Sequence, residues 1–118
     1  MTVVVVRLGP LPLQRRSASR VAELERILGT AVQLVEVFTL AELLIAVGAP
    51  GVVAVALDAT QPGAFTEAVA AAGALPVLRP LWRRQRNTQG EIDEVFGGYG
   101  LLTATDVVRL ADGELSAI

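Results

Sequence analysis

The sequence "VVVVRL", residues 3–8, is the stretch that decides the fold class. It contains four consecutive β-branched residues and ends at Gly9-Pro10, which stops a strand. Continuous apolar runs of this length are typical of strands that are covered on both faces, as in parallel sheets. Parallel strands need long crossover connections, which are usually helices. The first element therefore predicts an α/β fold.

The segments that follow alternate between helical and strand patterns. The spacing of four apolar residues predicts a first helix, which Ser17 or Ser19 caps and Gly29 ends: Val21, Leu24, Ile27 and Leu28. Further strands are predicted over residues 32–38, 52–57 and 75–78. Further helices are predicted over residues 39–47, where Thr39 and Glu42 form a capping-box pattern, and 63–72. The order β-α-β-α-β-α-β predicts an open, mostly parallel sheet with helices on both faces.

The last third of the chain has a different pattern. Residues 79–86 and 91–96 form a basic and an acidic arm around Asn87–Gly90, which predicts a β-hairpin with opposite charges across the strand pair. Three glycines then predict a bend or a close backbone approach: Gly97, Gly98 and Gly100. Thr103-x-x-Asp106 predicts a short closing helix that ends near Gly113. The expected architecture is a single α/β domain over residues 1–118 with a C-terminal hairpin and closing helix.

The composition excludes several classes of function. A chain of 118 residues with a net charge of −2 and a pI near 5.0 is not expected to bind long nucleic acid. It has no Lys, His or Cys, which excludes a thiolate nucleophile, an imidazole base, an ordinary zinc site and a Walker-type lysine. We therefore expect no metal and no cofactor. The first 13 residues are too short to span a bilayer and lack a basic n-region, which favours a cytoplasmic protein without a membrane partner.

Arginines cluster in the loops where a ligand is expected. In open parallel sheets, ligands bind outside the carboxyl ends of the strands, near the point where strand order reverses. One arginine group follows the first strand and another follows the fourth: Arg15, Arg16 and Arg20, then Arg79, Arg83, Arg84 and Arg86. Guanidinium groups bind phosphate in a bidentate way, so the two groups favour a compact anion with several phosphates. For the first group the alternative is an exposed first turn of a helix. For the second group it is a solvated hairpin arm whose charges pair with the acidic arm.

Two other residues at this edge allow more than one interpretation. Trp82 can stack on a base, although a lone tryptophan is more often an anchor in a core or interface, and we favour the anchor. Asp58 follows the third strand as the phosphoacceptor of a response-regulator receiver does. Receivers also need an acidic pair after the first strand and a lysine, and this chain has neither. Asp58 is expected to cap a helix or to hydrogen-bond a ligand, and we favour the cap.

The layout of the whole chain resembles a known family. "VVVVRLGPLPLQRRSASRVAEL" runs from strand through loop to helix, and "LPVLRPLW" leads into the charged hairpin and closing element of "EIDEVFGGYGLLTATDVVRLADG". This layout resembles the small stand-alone CRISPR-associated ring nucleases, relatives of the CARF domains. The resemblance implies a Rossmann-like (CARF-like) fold and a homodimer that holds a cyclic oligoadenylate across its two-fold axis. It also implies a role in antiviral defence, by switching off type III CRISPR signalling.

The chain departs from that family at one step. Several such families carry a Ser-His-type polar step after the first strand, whereas this chain has Leu8-Gly9-Pro10 and no histidine. The departure weakens the case for cleavage more than the case for binding. Ring opening need not use a histidine, because the ribose 2′-OH can attack its own phosphate when it is held in line.

Three hypotheses follow for the function. The leading one is a homodimer that binds cyclic tetra-adenylate and cleaves it without metal to linear products with 2′,3′-cyclic phosphate. The others are a non-catalytic sensor or sponge and a small protein-interaction domain without a nucleotide ligand.

Under the leading hypothesis, one group of residues contacts phosphate or orients the 2′-OH, and another stabilises charge on the phosphorane. The catalytic candidates are Arg16, Ser17 and Arg83. The ligand-binding candidates are Gly9, Pro10, Gln14, Arg15, Asp58, Thr60, Gln61, Arg79, Trp82 and Arg84. Within these, Arg15 and Arg16 are assigned to phosphate, Gln14 and Ser17 to the 2′-OH, and Arg79, Arg83 and Arg84 to the phosphorane.

Overall fold

The structure, a computed structural model, describes residues 2–10, 12–13, 17–58 and 62–102. Strands and helices alternate in this part of the chain and confirm the predicted α/β class. The elements are β1 (Thr2–Leu8), α1 (Ser17–Leu28), β2 (Ala31–Val37), α2 (Leu40–Ala46), β3 (Val52–Leu57), α3 (Pro62–Ala72), β4 (Val77–Arg86) and β5 (Ile92–Leu101). The predicted closing helix from Thr103 lies outside the described residues.

The five strands form one sheet in the order β2-β1-β3-β4-β5. The pairs β1–β2, β1–β3 and β3–β4 are parallel, and β5 is antiparallel to β4, so the sheet is mostly parallel with an antiparallel edge strand. From β1 the chain moves outward to β2 and then returns past β1 to β3. Strand order therefore reverses between β1 and β3, whose carboxyl ends are the expected place for a ligand in an open sheet.

The core consists of two layers, one on each face of the sheet. On the α1 side the buried residues are Val5, Leu24, Val32, Ala54, Ala56, Leu78 and Tyr99. On the α2 and α3 side they are Val6, Leu8, Val37, Leu43, Val55, Leu57, Ala68, Ala72, Val77 and Leu102. Neighbouring residues of β1 alternate between the layers, and both Val5 and Val6 are 0% exposed. The prediction that β1 is buried on both faces is confirmed.

The described helices are short, and their ends follow local sequence signals. Thr39 caps α2: its Oγ1 accepts from the backbone N–H of Glu42 at 3.1 Å and donates to Glu42 Oε1 at 3.1 Å. The first bond confirms the predicted cap at Thr39, whereas Glu42 accepts from the Thr39 hydroxyl rather than from the Thr39 backbone N–H that a full capping box uses. None of the helices in the described ranges combines the length and the apolar sequence that crossing a bilayer requires.

Strand β4 joins two segments that the sequence predicts one after the other. A strand is predicted to begin at residues 75–78, before a basic hairpin arm over residues 79–86, and the structure has one continuous strand from Val77 to Arg86. The reason is a change of partner: β3 pairs with Val77 and Leu78, and β5 pairs from Leu78 onward to Arg86. Beyond Pro80, the two strands project past the carboxyl edge of the sheet. We call this two-stranded part, residues 81–86 and 92–97, the ribbon. Six residues per strand give it a reach of about 20 Å.

A β-bulge lies where the ribbon leaves the sheet. Two steps along β4, from Pro80 to Trp82, are opposite three steps along β5, from Phe96 to Tyr99. Gly98 has a φ of 125°, where a side chain is strained, and a Cβ there would lie 2.8 Å from Glu23 Oε1. The extra residue brings Phe96 and Tyr99 to the same face, with ring centroids 5.0 Å apart. The bend predicted at the glycines is confirmed.

Candidate functional site

A buried ion pair joins the carboxyl ends of β1 and β3. Arg7 Nε donates to Asp58 Oδ2 at 2.6 Å, and the two residues are 3% and 8% exposed. The strand alternation of β1 directs the Arg7 side chain to the α1 face. A Cβ at Gly9 would overlap the Arg7 guanidinium, so the guanidinium lies over the strand end where glycine leaves room. The pair thus marks the position where strand order reverses.

Glu36 of β2 extends this network to the segment that follows β1. Arg7 Nη1 lies 3.3 Å from Glu36 Oε1, and the same oxygen accepts from the backbone N–H of Leu13 at 2.9 Å. One guanidinium therefore connects β1 to both neighbouring strands. Because Glu36 also holds Leu13, the network fixes the start of the loop in which the phosphate-binding residues were predicted.

Asp58 has two further partners on the α1 side. The Tyr99 hydroxyl donates to Asp58 Oδ2 at 3.0 Å, and Arg20 Nε lies 3.8 Å from the same oxygen. Burial raises the pKa of Tyr99 above its ordinary value, and the Asp58 charge raises it further, so the hydroxyl keeps its proton as a donor. Helix α3 begins at Pro62, so the favoured expectation that Asp58 caps a helix is wrong. The carboxylate instead joins four elements of the fold.

Arg20 is the unusual member of the cluster. It lies in the first turn of α1, yet it is only 7% exposed, so the exposed-turn interpretation is wrong for this residue. Its guanidinium carbon lies 3.6 Å from the Phe96 ring centroid and 5.8 Å from that of Trp82. Its Nε atom is buried and has no hydrogen-bond acceptor among the residues that the structure describes. A buried N–H without an acceptor is rare and destabilising, which makes Arg20 a candidate for a role beyond stability.

A cleft of about 470 Å³ opens beside Arg20, between the start of α1 and the ribbon. Its walls include Ser19 and Arg20 from α1, and Trp82, Glu94 and Phe96 from the ribbon. The rings of Trp82 and Phe96 meet edge to face, with centroids 6.3 Å apart and planes at 74°. Trp82 remains 36% exposed, so it anchors the ribbon against Phe96 and also presents ring surface to the cleft. A volume of this size is in the range of small-molecule sites.

The arginines of the basic arm are divided between the two faces of the ribbon. Strand alternation places Arg84 on the α1 side with Trp82, and Arg79 and Arg83 on the opposite side. Consistent with this, a Cβ at Gly97, which follows Val95 on that opposite face, would lie 3.6 Å from Arg83 Cγ. The structure therefore does not bring together the three arginines assigned to the phosphorane.

The two arms pair as the predicted hairpin, with Arg84 opposite Glu94. Among the ion pairs found within the described ranges, however, none involves an arginine of the ribbon. Arg86 Nη1 instead donates to the Gly90 carbonyl at 3.0 Å. On the face of the ribbon that carries Trp82, the arginines of the basic arm are available to a ligand. On the opposite face they are available to a different binding partner.

The remaining predicted site residues fall into two groups. Gly9 and Pro10 directly follow β1, at the edge where Arg7 and Asp58 meet. Ser17 is the first residue of α1, and its side chain lies outside the part of the structure that is described. The others lie outside the described residues, and their roles stay predictions: Gln14, Arg15, Arg16, Thr60 and Gln61.

Sequence reasoning missed three members of the buried network, Arg7, Glu36 and Tyr99. A usable signal existed for Arg7, because a charged residue inside a strand that is buried on both faces needs a buried partner. The partner expected for such an arginine is an acidic residue at the end of a neighbouring strand, and Asp58 follows the third strand in this way. Tyr99 carried no comparable signal, since its approach to Asp58 depends on the bulge.

Metal ligands are not gathered in this part of the chain. Within residues 2–10, 12–13, 17–58 and 62–102, no group of three or more Asp or Glu side chains lies close enough to share a metal ion. The acidic side chain at the centre of the site, Asp58, is bound by Arg7 and Tyr99.

Comparisons of the chain with protein-family models, with curated proteins and with solved structures find no match in any of the three.

Proposed function

We propose that this protein binds a cyclic oligoadenylate, above all cyclic tetra-adenylate, in the cleft between α1 and the ribbon of a homodimer. The observation that carries the proposal is Arg20, a buried arginine with an unsatisfied Nε at the edge where strand order reverses. Sites that break a packing rule in this way are often functional. The proposal includes a Rossmann-like, CARF-like relationship, which the sequence layout supports.

The groups around the cleft suit a nucleotide. Trp82 offers an exposed ring on which a base can stack, and such stacking does not depend on which base it is. Arg84 lies on the same face of the ribbon, where its guanidinium can bind phosphate in a bidentate way. The amino end of α1, a helix of 12 residues, carries a partial positive charge that favours an anion. Arg15 and Arg16 precede that helix in the sequence.

The proposed reaction needs no metal and no co-reactant. The ribose 2′-oxygen attacks the adjacent phosphorus, the bond from phosphorus to the 5′-oxygen breaks, and the leaving oxygen takes up the proton that the 2′-OH loses. The product is a linear chain with a 2′,3′-cyclic phosphate at one end and a 5′-OH at the other. The protein contributes alignment and positive charge, for which Arg16, Ser17 and Arg83 remain the candidates. The missing histidine keeps a sensor or sponge as the runner-up.

The test is incubation of the purified protein with labelled cyclic tetra-adenylate in EDTA, with chromatography of the products and a parallel melting curve. Linear product supports the ring nuclease, and a raised melting temperature without product supports the sensor or sponge. We expect Arg84→Ala to weaken binding by about tenfold or more. Arg26→Ala is the matched control, because Arg26 pairs with Glu23 on the exposed side of α1. No melting shift with any ring size would contradict the proposal.

Arg83→Ala answers a separate question about the assembly. Arg83 lies on the face of the ribbon away from the cleft, so a ligand held by one subunit alone would not reach it. A loss of affinity or turnover in this variant would indicate that a second subunit or a large ring engages that face. Unchanged binding and turnover would remove Arg83 from the catalytic candidates.

An exposed apolar surface favours a second candidate, a small protein-interaction domain. Leu44 and Ile45 of α2 are 59% and 79% exposed. A shallow groove lined by Leu40, Leu44 and the α3 residues Ala70 and Ala71 lies beside them. Such surface suits contact with another protein. This candidate predicts that no nucleotide changes the melting temperature, so the same experiment separates it from the leading proposal.

A further inference from the structure

The charges at the cleft determine which part of a nucleotide fits there. Its only cation among the described lining residues, Arg20, lies near the buried carboxylate of Asp58. The ribbon contributes two exposed acidic residues to the lining, Asp93 and Glu94, and strand alternation places the Glu94 carboxylate on the cleft face and that of Asp93 on the opposite face. A phosphate in this cleft would be repelled by Glu94 and would find no arginine other than Arg20 among the described lining residues. The cleft therefore suits the uncharged base, and the phosphates belong outside it.

One aromatic face is available for such a base. The face of Phe96 is covered by the Arg20 guanidinium at 3.6 Å. Trp82 is 36% exposed, and the same guanidinium is 5.8 Å from its centroid, too far for a close stack. The edge-to-face contact with Phe96 fixes the orientation of the indole. Trp82 is therefore a rigid platform with free ring surface.

Glu94 lies on the same face of the ribbon as Trp82 and also lines the cleft. The cross-strand pairs Trp82–Phe96 and Arg84–Glu94 are successive pairs on the same face of the ribbon. Glu94 is thus the diagonal neighbour of Trp82, a separation of about 7–8 Å between backbone positions that long side chains bridge. An ionised carboxylate only accepts hydrogen bonds. It can therefore accept a hydrogen bond from an N–H group on the edge of a base.

We propose that this cleft is a nucleobase site, in which Trp82 stacks an adenine base and Glu94 accepts a hydrogen bond from its exocyclic amine. Arg20, held between Asp58 and Phe96, forms the back wall and keeps the aromatic pair in place. The inference rests on the proposed function and deepens it, because it names the residues that read the base. It assigns Glu94 as a specificity-determining residue, which the sequence analysis treated only as part of an acidic arm.

The single tryptophan of the chain makes the site directly observable. We would titrate the protein with cyclic tetra-adenylate, and with the same ring built from purine riboside, which lacks only the exocyclic amine. The expected result is saturable quenching of Trp82 fluorescence, with the amine-free ring bound about tenfold more weakly. Glu94→Ala should abolish this preference. Glu91→Ala is the matched control, since Glu91 is an exposed acid at the turn and lies outside the cleft; it should keep the preference.

The outcomes separate the two proposals. A melting shift with cyclic tetra-adenylate, but no change in Trp82 fluorescence or equal affinity for the amine-free ring, overturns the base site and leaves the proposed function standing. Quenching by adenosine monophosphate but not by purine riboside monophosphate, with no response to any cyclic ring, supports the base site and removes the cyclic ligand. No response to any of these probes overturns both.

Discussion

Arg7 and Asp58, 51 positions apart in the chain, meet through a contact of 2.6 Å between Arg7 Nε and Asp58 Oδ2. The contact joins the ends of β1 and β3, the two strands between which strand order reverses. Both side chains are buried, so each is the principal compensation for the desolvation of the other. The pair therefore links the two strands at the carboxyl edge of the sheet and, through Asp58, lies next to Arg20 of the cleft lining.

Removing the negative charge of Asp58 should strongly destabilise the fold. Asp58→Asn leaves two buried guanidinium groups, Arg7 and Arg20, without their shared carboxylate. We expect the free energy of unfolding in urea to fall by about 3–5 kcal/mol, the usual cost of breaking a buried pair on one side. Asp93→Asn makes the same chemical change at an exposed position and should stay within about 0.5 kcal/mol of the parent. Equal effects of the two variants would contradict the structural role of Asp58.

The loss of folding stability at alkaline pH should depend on the ionisation of Tyr99 alone. The folded state raises the pKa of Tyr99, so above about pH 10 the unfolded chain loses a proton that the folded chain keeps. Stability is therefore full below that pH and falls as pH rises, by about 1.4 kcal/mol per unit. The chain has one Tyr and no Lys, His or Cys, so no other side chain titrates in this range below arginine.

Tyr99→Phe provides the check on this assignment. The phenylalanine variant should be less stable near neutral pH, because Asp58 loses a donor. Its free energy of unfolding should then be flat between about pH 9 and 12. A parent protein with an equally flat profile, or a tyrosinate absorbance that rises at the pH of a free tyrosine, would show that the hydroxyl is not held as described.

Local sequence signals predicted much of the fold. The run at residues 3–8, the Thr39 cap of α2 and the turn at Asn87–Gly90 each depend on neighbours in the chain, and the structure contains all three. The sequence predicts the start of a fourth strand at residues 75–78 and a separate basic arm from Arg79, because the apolar run ends at Leu78. The structure joins the two, since β4 pairs with β3 at Val77 and Leu78 and with β5 from Leu78 onward. The hairpin with β5 was predicted, whereas the pairing with β3 depends on strands that lie apart in the chain.

The candidate site was less predictable than the fold. Arg20, Asp58 and Trp82 were found because they follow strands or stand out in composition. The contacts that define their roles, from Arg7 and Tyr99 to Asp58, form only when β1, β3 and β5 lie side by side. The bulge at Gly98 decides that Tyr99 and Phe96 share a face, which is a matter of three-dimensional register.

Replacing Gly98 should disturb both stability and the aromatic cluster. A side chain at its φ of 125° is strained, and its Cβ would lie 2.8 Å from Glu23 Oε1. We expect Gly98→Ala to lower the free energy of unfolding by about 1–3 kcal/mol. Gly48→Ala is the control, because its nearest contact, Ile45 O at 3.5 Å, is ordinary. Denaturation curves for both variants test this, and equal curves would argue against the bulge.

Arg20 should behave unlike Asp58, since its removal leaves the carboxylate with its two hydrogen-bonding partners. Arg20→Met replaces the cation–π contact with Phe96 by an apolar one and removes the Nε that has no acceptor among the described residues. We expect the free energy of unfolding to change by about 1 kcal/mol or less, whereas the response of melting temperature and Trp82 fluorescence to cyclic tetra-adenylate is lost. A loss of stability as large as that of Asp58→Asn, with the ligand response intact, would make Arg20 a structural residue and remove the main support for a ligand at this cleft.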